Sequence, residues 1–304
     1  MATNISQAFS EFKSRLELND TLQKAVTTNH EAIRDWIESY KSNIETQIIG
    51  SLQRKTRIQP RVNDVFDIDI LVILGNFYPR TPWSRVVAPG EALNEVDEIM
   101  REHEGYEKMN PEKDFPTVII NYANGTKAEL VPAYRDFINE PKGRGYYIPK
   151  SYNEWGKADY DYDAEYISKK NQESDEWLIP TIKILKAAKR NLFPEMKSYH
   201  LEVLATTIIP LLVEHYKSQN FQLSFPRLVY RFFLIANDEV LKSCSIEGSK
   251  SPDASAYMGY FQKRNLANRF SEIANYCQSI IPLDGRDGVE GWRKLFGEPF
   301  PSYG

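Results

Sequence analysis

The sequence predicts an α+β protein, with a mixed β-sheet and helices in the first half and helices alone in the second. Runs rich in apolar and β-branched residues predict strands at 66–74, 117–122 and 126–132. From about residue 160 these patterns nearly vanish, and apolar residues recur at helical spacing instead. We therefore expect a bilobal chain, with a core lobe at 1–160 and a helical lobe at 161–304.

Helices are expected on both sides of the predicted strands. Apolar spacing predicts them at 5–18 and 29–49, and Val96, Ile99 and Met100 give the stretch 90–114 a short helix that covers the sheet. In the second half helical patterns occur at 177–192, 200–217, 226–242, 255–281 and 287–296. Pro180 makes the first of these helices begin or kink nearby.

Two aspartates stand at the start of the first predicted strand. Asp67 and Asp69 alternate along 66–74, so their side chains leave the same face. Carboxylates placed together at the edge of an apolar run repel each other unless a cation lies between them. A divalent metal is the simplest such cation. The alternative is that the two aspartates lie at a solvated strand edge and bind no metal.

A tight hairpin is predicted around Asn124-Gly125, between the strands at 117–122 and 126–131. It places Glu129 on a strand that can lie beside Asp67 and Asp69. Three carboxylates of this kind suit magnesium, which takes hard oxygen ligands and completes its shell with substrate phosphates. The alternative for Glu129 is a cross-strand pair with a lysine or arginine.

Gly50-Ser51 is a candidate phosphate grip at the end of the helix predicted at 29–49. Glycine lets the backbone approach a polyanion closely, and the serine hydroxyl can donate to it. Basic residues follow at Arg54, Lys55, Arg57 and Arg61. This density suits a triphosphate, although a short basic loop can also be only a solvated surface.

Composition excludes several classes of function. The net charge of −4 argues against a duplex-binding face, which needs many Lys and Arg to neutralise phosphates. Cys244 and Cys277 stand apart without a Cys/His cluster, so we expect buried thiols and no zinc module. We find no run of about 20 apolar residues and no export signal, so we expect a cytoplasmic protein without a membrane partner.

The ordered motifs resemble a known enzyme family. Residues 50–58, 67–69 and 129–133 look like the polymerase-beta-like nucleotidyltransferases, specifically the bacterial cyclic-oligonucleotide synthases called CD-NTases, which are similar to cyclic GMP-AMP synthase and oligoadenylate synthase. Further similar segments lie at 178–190, 197–204 and 291–301. The resemblance implies a polymerase-beta-like core packed on a helical lobe, with a nucleotide cleft between them.

The resemblance also implies site residues. The metal ligands and catalytic carboxylates would be Asp67, Asp69 and Glu129, and the nucleotide would be bound by Gly50, Ser51, Lys186 and Ser198. Two Mg²⁺ ions are implied, with Mn²⁺ as a substitute. The family usually has aspartate where this chain has Glu129. Alternatives remain open for Lys186 as a solvated lysine and for Ser198 as a helix N-cap.

The implied activity joins nucleoside triphosphates into a cyclic di- or trinucleotide, releases pyrophosphate and serves bacterial antiphage signalling. We expect a monomer without a duplex DNA requirement, a downstream effector receptor that binds the product, and accessory regulators that the sequence does not identify. The alternatives are a linear-oligonucleotide or tRNA nucleotidyltransferase, a mononucleotide cyclase and a catalytically dead nucleotide sensor.

Overall fold

A computed structural model describes residues 2–41, 43–62, 64–77, 87–136 and 145–304. The first half contains α1 (Ile5–Leu16), α2 (Asp20–Tyr40), β1 (Glu45–Ile48), α3 (Gly50–Gln53), β2 (Phe66–Asn76), α4 (Pro89–Arg101), α5 (Glu104–Lys108), β3 (Glu112–Asp114), β4 (Thr117–Asn121), β5 (Thr126–Arg135), β6 (Tyr146–Ser151) and β7 (Glu154–Ala158). The second half contains α6 (Tyr160–Glu173), α7 (Leu178–Leu192), α8 (Ser198–Ser218), α9 (Phe225–Glu239), α10 (Tyr260–Ile280) and α11 (Gly285–Phe296). The predicted α+β class is confirmed.

The sheet is mixed and has the order β1-β2-β5-β4-β3. Strands β2 and β5 are parallel neighbours, whereas β1 pairs antiparallel with β2 and β4 pairs antiparallel with β5. Strand β6 pairs with the end of β5 at Tyr134 and Arg135, and then with β7. The parallel pair is central, so side chains on one face of β2 and β5 lie side by side.

The predicted helix at 29–49 is wrong at both ends. Helix α2 begins at Asp20, where the Asn19 side chain accepts a hydrogen bond from the backbone N–H of Leu22, and it ends at Tyr40. Residues Glu45–Ile48 form an edge strand on β2 instead. Short apolar spacing does not distinguish strand from helix, and here the free edge of β2 determines the outcome.

The three predicted strands are confirmed as β2, β4 and β5, and the helix predicted in the 90–114 stretch is confirmed as α4. The short or polar strands β1, β3, β6 and β7 were not predicted. All five helices predicted in the second half are present, and α6 is an additional one.

Buried apolar residues form two main clusters. One joins the sheet to α2 and α4, and the other joins the helices of the second half. Helix α1 belongs to the second cluster, because Phe9 contacts the rings of Trp292, Phe296 and Phe300. The division of the chain at residue 160 stays a prediction.

In the described part of the chain, we find no helix with the length and apolarity that a membrane span requires.

Candidate active site

Three acidic side chains lie on adjacent strands of the central parallel pair. Asp67 and Asp69 alternate on β2, and the register pairs Asp67 with Lys127 and Asp69 with Glu129 on β5. The hairpin between β4 and β5 holds Glu129 in this register. Since side chains two residues apart share a face of a strand, the three carboxylates lie on one face of the sheet.

Lys127 lies between the two outer carboxylates. Its Nζ is 3.3 Å from Oδ1 of Asp67 and 2.6 Å from Oε1 of Glu129. On the other side Nη2 of Arg57 lies 4.0 Å from Oδ2 of Asp67. The alternative in which Glu129 partners a lysine is therefore present in the structure, with the partner on its own strand.

Asp69 is a carboxylate whose ionised form is disfavoured by its surroundings. Its pKa is raised from 3.8 to about 6, mainly by burial and then by the nearby charges of Glu129 and Asp67, while Arg57 and Arg54 oppose the rise. Burial and like charges both disfavour the ionised form. A cation at this position would relieve both penalties at once.

Gly50 is fitted against Asp69. Its φ of +71° lies in the left-handed region, and a Cβ at this position would lie 2.3 Å from Oδ2 of Asp69. The backbone is held there because Ile49 N–H donates to the Asp69 carbonyl at 2.9 Å. The lack of a side chain at Gly50 thus makes room for the Asp69 carboxylate. This is a second reason for glycine here, beside the predicted approach to a phosphate.

The chemistry of these carboxylates suits a divalent cation, but their present arrangement is not a complete metal site. Their oxygens are hard ligands of the kind that Mg²⁺ takes, and they repel each other. Across the described ranges, no three His, Cys, Asp or Glu side chains are grouped so that they could hold a metal ion as they stand. Ligation by Asp67 and Glu129 would require Lys127 to give way.

A cavity of about 570 Å³ opens beside these carboxylates. It is lined by predicted site residues from both halves of the chain, namely Gly50, Ser51, Asp67, Asp69, Lys186 and Ser198. Glu129 is not among the lining residues. The basic lining residues are Arg54, Arg57, Lys186, Lys189 and Arg190. Acidic and basic side chains therefore line the same cavity.

Lys186 is buried, so the solvated alternative is wrong. Its Nζ lies 2.5 Å from Oε1 of Glu202 and donates to the carbonyl and the hydroxyl of Thr56, at 2.9 and 3.1 Å. Burial lowers the pKa of Lys186 to about 8, although the charge of Glu202 opposes this change. Lys183, on the same helix, is also buried and pairs with Glu17.

Ser198 is the first residue of α8 and lies on the cavity wall. The N-cap is Lys197, so the N-cap interpretation of Ser198 is wrong by one residue. The backbone N–H groups at the start of an α-helix lack intrahelical partners and favour anions. The serine hydroxyl is thus placed beside a helix end that suits a phosphate.

Three cavity residues escaped the sequence analysis: Glu202, Lys189 and Arg190. Glu202 follows Ser198 by four residues on α8, whereas Lys189 and Arg190 follow Lys186 by three and four on α7. Such spacings place side chains on one helix face. This signal was available once Lys186 and Ser198 had been assigned to the cavity.

Comparison with known proteins places these features in a family. Residues 3–171 match the model of the Second Messenger Oligonucleotide or Dinucleotide Synthetase domain. A probable cyclic nucleotide synthase of Bacillus cereus (strain VD146) is 22% identical over 357 aligned residues, which cover 100% of this chain and 99% of the relative.

Solved structures share the fold. CdnC of Escherichia coli MS115-1, in complex with HORMA-deltaN, superposes with a TM-score of 0.74 at 12% identity, covering 98% of each chain. The CD-NTase CdnG of Bradyrhizobium diazoefficiens, in complex with GTP, superposes with a TM-score of 0.71 at 14% identity, covering 96% of this chain and 95% of that one. The predicted CD-NTase resemblance is confirmed at the level of the fold.

Proposed function

The chain belongs to the family of second messenger oligonucleotide or dinucleotide synthetases, and from this premise we propose that it joins ribonucleoside triphosphates into a cyclic di- or trinucleotide. In each step the acceptor ribose hydroxyl oxygen bonds to the α-phosphorus of the donor. The bond from that phosphorus to the bridging oxygen breaks, pyrophosphate leaves with the electron pair, and the hydroxyl proton passes to solvent. A last step of the same kind closes the ring.

The observation that carries this proposal is that acidic and basic side chains line one cavity. The carboxylates of Asp67 and Asp69 line this cavity together with the cations of Arg57, Lys189 and Arg190. A nucleoside triphosphate needs both, because its phosphates are anionic and its reacting phosphorus must be brought near a cation held by carboxylates. Phosphoryl transfer depends mainly on such positioning and charge neutralisation.

The basic lining residues would hold the donor triphosphate. Arg57 lies over the Phe66 ring with its guanidinium carbon 4.3 Å from the ring centroid, which fixes its approach to the cavity. Burial lowers the pKa of Lys189 and that of Arg190, and neighbouring cations contribute to both shifts. A bound polyphosphate would relieve this crowding. Gly50-Ser51 and Ser198 would add donors at either end.

Asp67, Asp69 and Glu129 would hold two Mg²⁺ ions, or Mn²⁺ in their place. A bound divalent cation supplies charge stabilisation to the attacking and leaving oxygens of an in-line displacement. Asp69 is the residue best suited to this role, since its buried carboxylate gains most from a nearby positive charge. Glu129 would join when Lys127 is displaced from it.

We further propose that the product is a second messenger in bacterial antiphage defence, bound by a separate effector receptor. The name of the matching family supports the second-messenger part of this proposal. The CdnC structure contains a HORMA protein, which suggests an accessory regulator for this chain as well.

The test is product identification. Purified protein is incubated with all four ribonucleoside triphosphates and Mg²⁺ or Mn²⁺, and products are identified by mass, with Asp69→Asn as the matched control. Cyclic species of two or three nucleotides that are absent from the control support the proposal. Linear chains, a cyclic mononucleotide or no turnover would each overturn it, in favour of an oligonucleotide synthase, a cyclase or a nucleotide sensor.

A further inference from the structure

A wholly buried carboxylate lies among the basic residues that line the cavity. Glu202 has an unexposed side chain, and it contacts Nε of Arg54 at 2.7 Å and Nζ of Lys186 at 2.5 Å. Arg54 comes from the end of α3, Lys186 from α7 and Glu202 from α8. One anion therefore ties the Gly-Ser segment to two helices of the second half.

The two cations are held by further contacts that leave them little freedom. The guanidinium of Arg54 also lies over the Tyr199 ring, 4.9 Å from its centroid. Lys186 donates hydrogen bonds to the Thr56 carbonyl and hydroxyl, and it forms an ion pair with Glu202. Lys186 is thus fixed before any nucleotide arrives.

The charges of Arg54, Lys186 and Glu202 do not cancel, and the net charge of the group is positive. Two cations against one carboxylate leave one net positive charge, buried at the wall of a cavity that also carries Arg57. Without Glu202, Arg54 and Lys186 would repel each other in a place where water cannot screen them. Buried ion pairs are weak evidence of stability, so this group is a candidate for another role.

We propose that Glu202 is a positioning residue for nucleotidyl transfer, which holds the ammonium of Lys186 at the phosphate side of the cavity and prevents Arg54 from displacing it. The inference rests on the proposed function, because it assigns a role within that same site. A merely structural ion pair would affect folding and leave turnover by the folded enzyme unchanged.

The experiment is a double-mutant cycle on the full chain. The variants are Glu202→Gln, Lys186→Met and both together, with Glu214→Gln as the control, because Glu214 lies exposed on the same helix. For each variant we measure kcat and KM for pyrophosphate release, the affinity for ATP without metal, and the unfolding temperature.

Glu202→Gln is expected to lower kcat by about a hundredfold, the size of effect that a misplacement of about 1 Å produces. In the Lys186→Met background the same change should alter kcat by less than about twofold, because the residue through which Glu202 acts is gone. Glu214→Gln should match the wild type. Unchanged kcat in folded Glu202→Gln, or a full additional loss in the double variant, would overturn the proposal.

A second comparison covers the case in which Glu202→Gln does not fold. Arg54→Met removes one cation and leaves a neutral Glu202–Lys186 pair, and Arg54→Met with Glu202→Gln leaves Lys186 alone, so neither contains two unbalanced cations. Turnover should be about tenfold lower in the second than in the first, and equal turnover contradicts the proposal. If the wild type makes no product, the proposed function fails, and ATP affinity measured in the same variants still tests Glu202.

Discussion

Replacement of Asp69 by asparagine should stabilise the protein while it abolishes turnover. The pKa of Asp69 is raised from 3.8 to about 6 by burial, with Glu129 and Asp67 adding to the shift. At 1.36 kcal/mol per pKa unit, the ionised carboxylate is disfavoured in the folded state by about 3 kcal/mol. Asparagine removes the charge at nearly constant volume, so we expect a gain of about 2–3 kcal/mol at pH 7.5 without metal.

The pH dependence of this gain has a definite sign. A raised folded pKa means that the folded state binds a proton more readily than the unfolded chain between pH 4 and pH 6. The wild type therefore loses stability as the pH rises through this window, and Asp69→Asn does not. The difference between the two should be full above pH 6 and should vanish near pH 4.

Urea unfolding in EDTA at pH 4 and at pH 7.5 measures both quantities. Asp67→Asn is the matched control, because the Asp67 carboxylate is 36% exposed and lies 3.3 Å from Lys127. It should change stability by less than about 1 kcal/mol. The reasoning is refuted if Asp69→Asn is no more stable than the wild type at pH 7.5, or if its gain persists unchanged at pH 4.

Other predictions follow from contacts near the same carboxylates. Gly50→Ala should destabilise the fold by more than the roughly 1–2 kcal/mol that a left-handed alanine costs, because the new Cβ would clash with Asp69. Gly125→Ala is the control, because Gly125 has a φ of +78° and free space around it. Equal losses of stability in thermal melts of the two variants would contradict the clash. Lys127→Ala should tighten Mn²⁺ binding about two- to fivefold, since Lys127 competes with the metal for Glu129. Electron paramagnetic resonance titration measures this affinity, and an unchanged value would contradict the prediction. Burial alone would raise the pKa of Glu202, but Arg54 and Lys186 hold it at about 2. Its stabilisation, about 3 kcal/mol, should therefore be lost as the pH falls from about 4.5 to 2, and acid unfolding of Glu202→Gln should lack this component.

The centre of the sheet could be predicted because local signals agreed with the tertiary structure. Asn124-Gly125 fixes the hairpin, and alternation places Asp67 and Asp69 on one face. The strand at Glu45–Ile48 could not be predicted, because four residues at a sheet edge take their conformation from the neighbouring strand.

The site was predicted less completely than the sheet. Gly50 was identified, but its fit against Asp69 depends on a close approach between β2 and the start of α3 that no local pattern encodes. Lys127 was missed because its contact with Asp67 depends on the parallel register of β2 and β5. Glu202 was missed because a buried acid among apolar residues gains its meaning only from the two cations that surround it.

The packing of α1 has a consequence for how the chain acquires its structure. Phe9 and Phe12 complete an aromatic group with residues close to the other end of the sequence, such as Phe300. During synthesis the earliest helix must wait until nearly the whole polypeptide has emerged before it finds these rings, and contacts of such long sequence separation form slowly. A single cleavage of the chain between the two groups of rings would leave each fragment with exposed apolar surface that is buried in the intact protein.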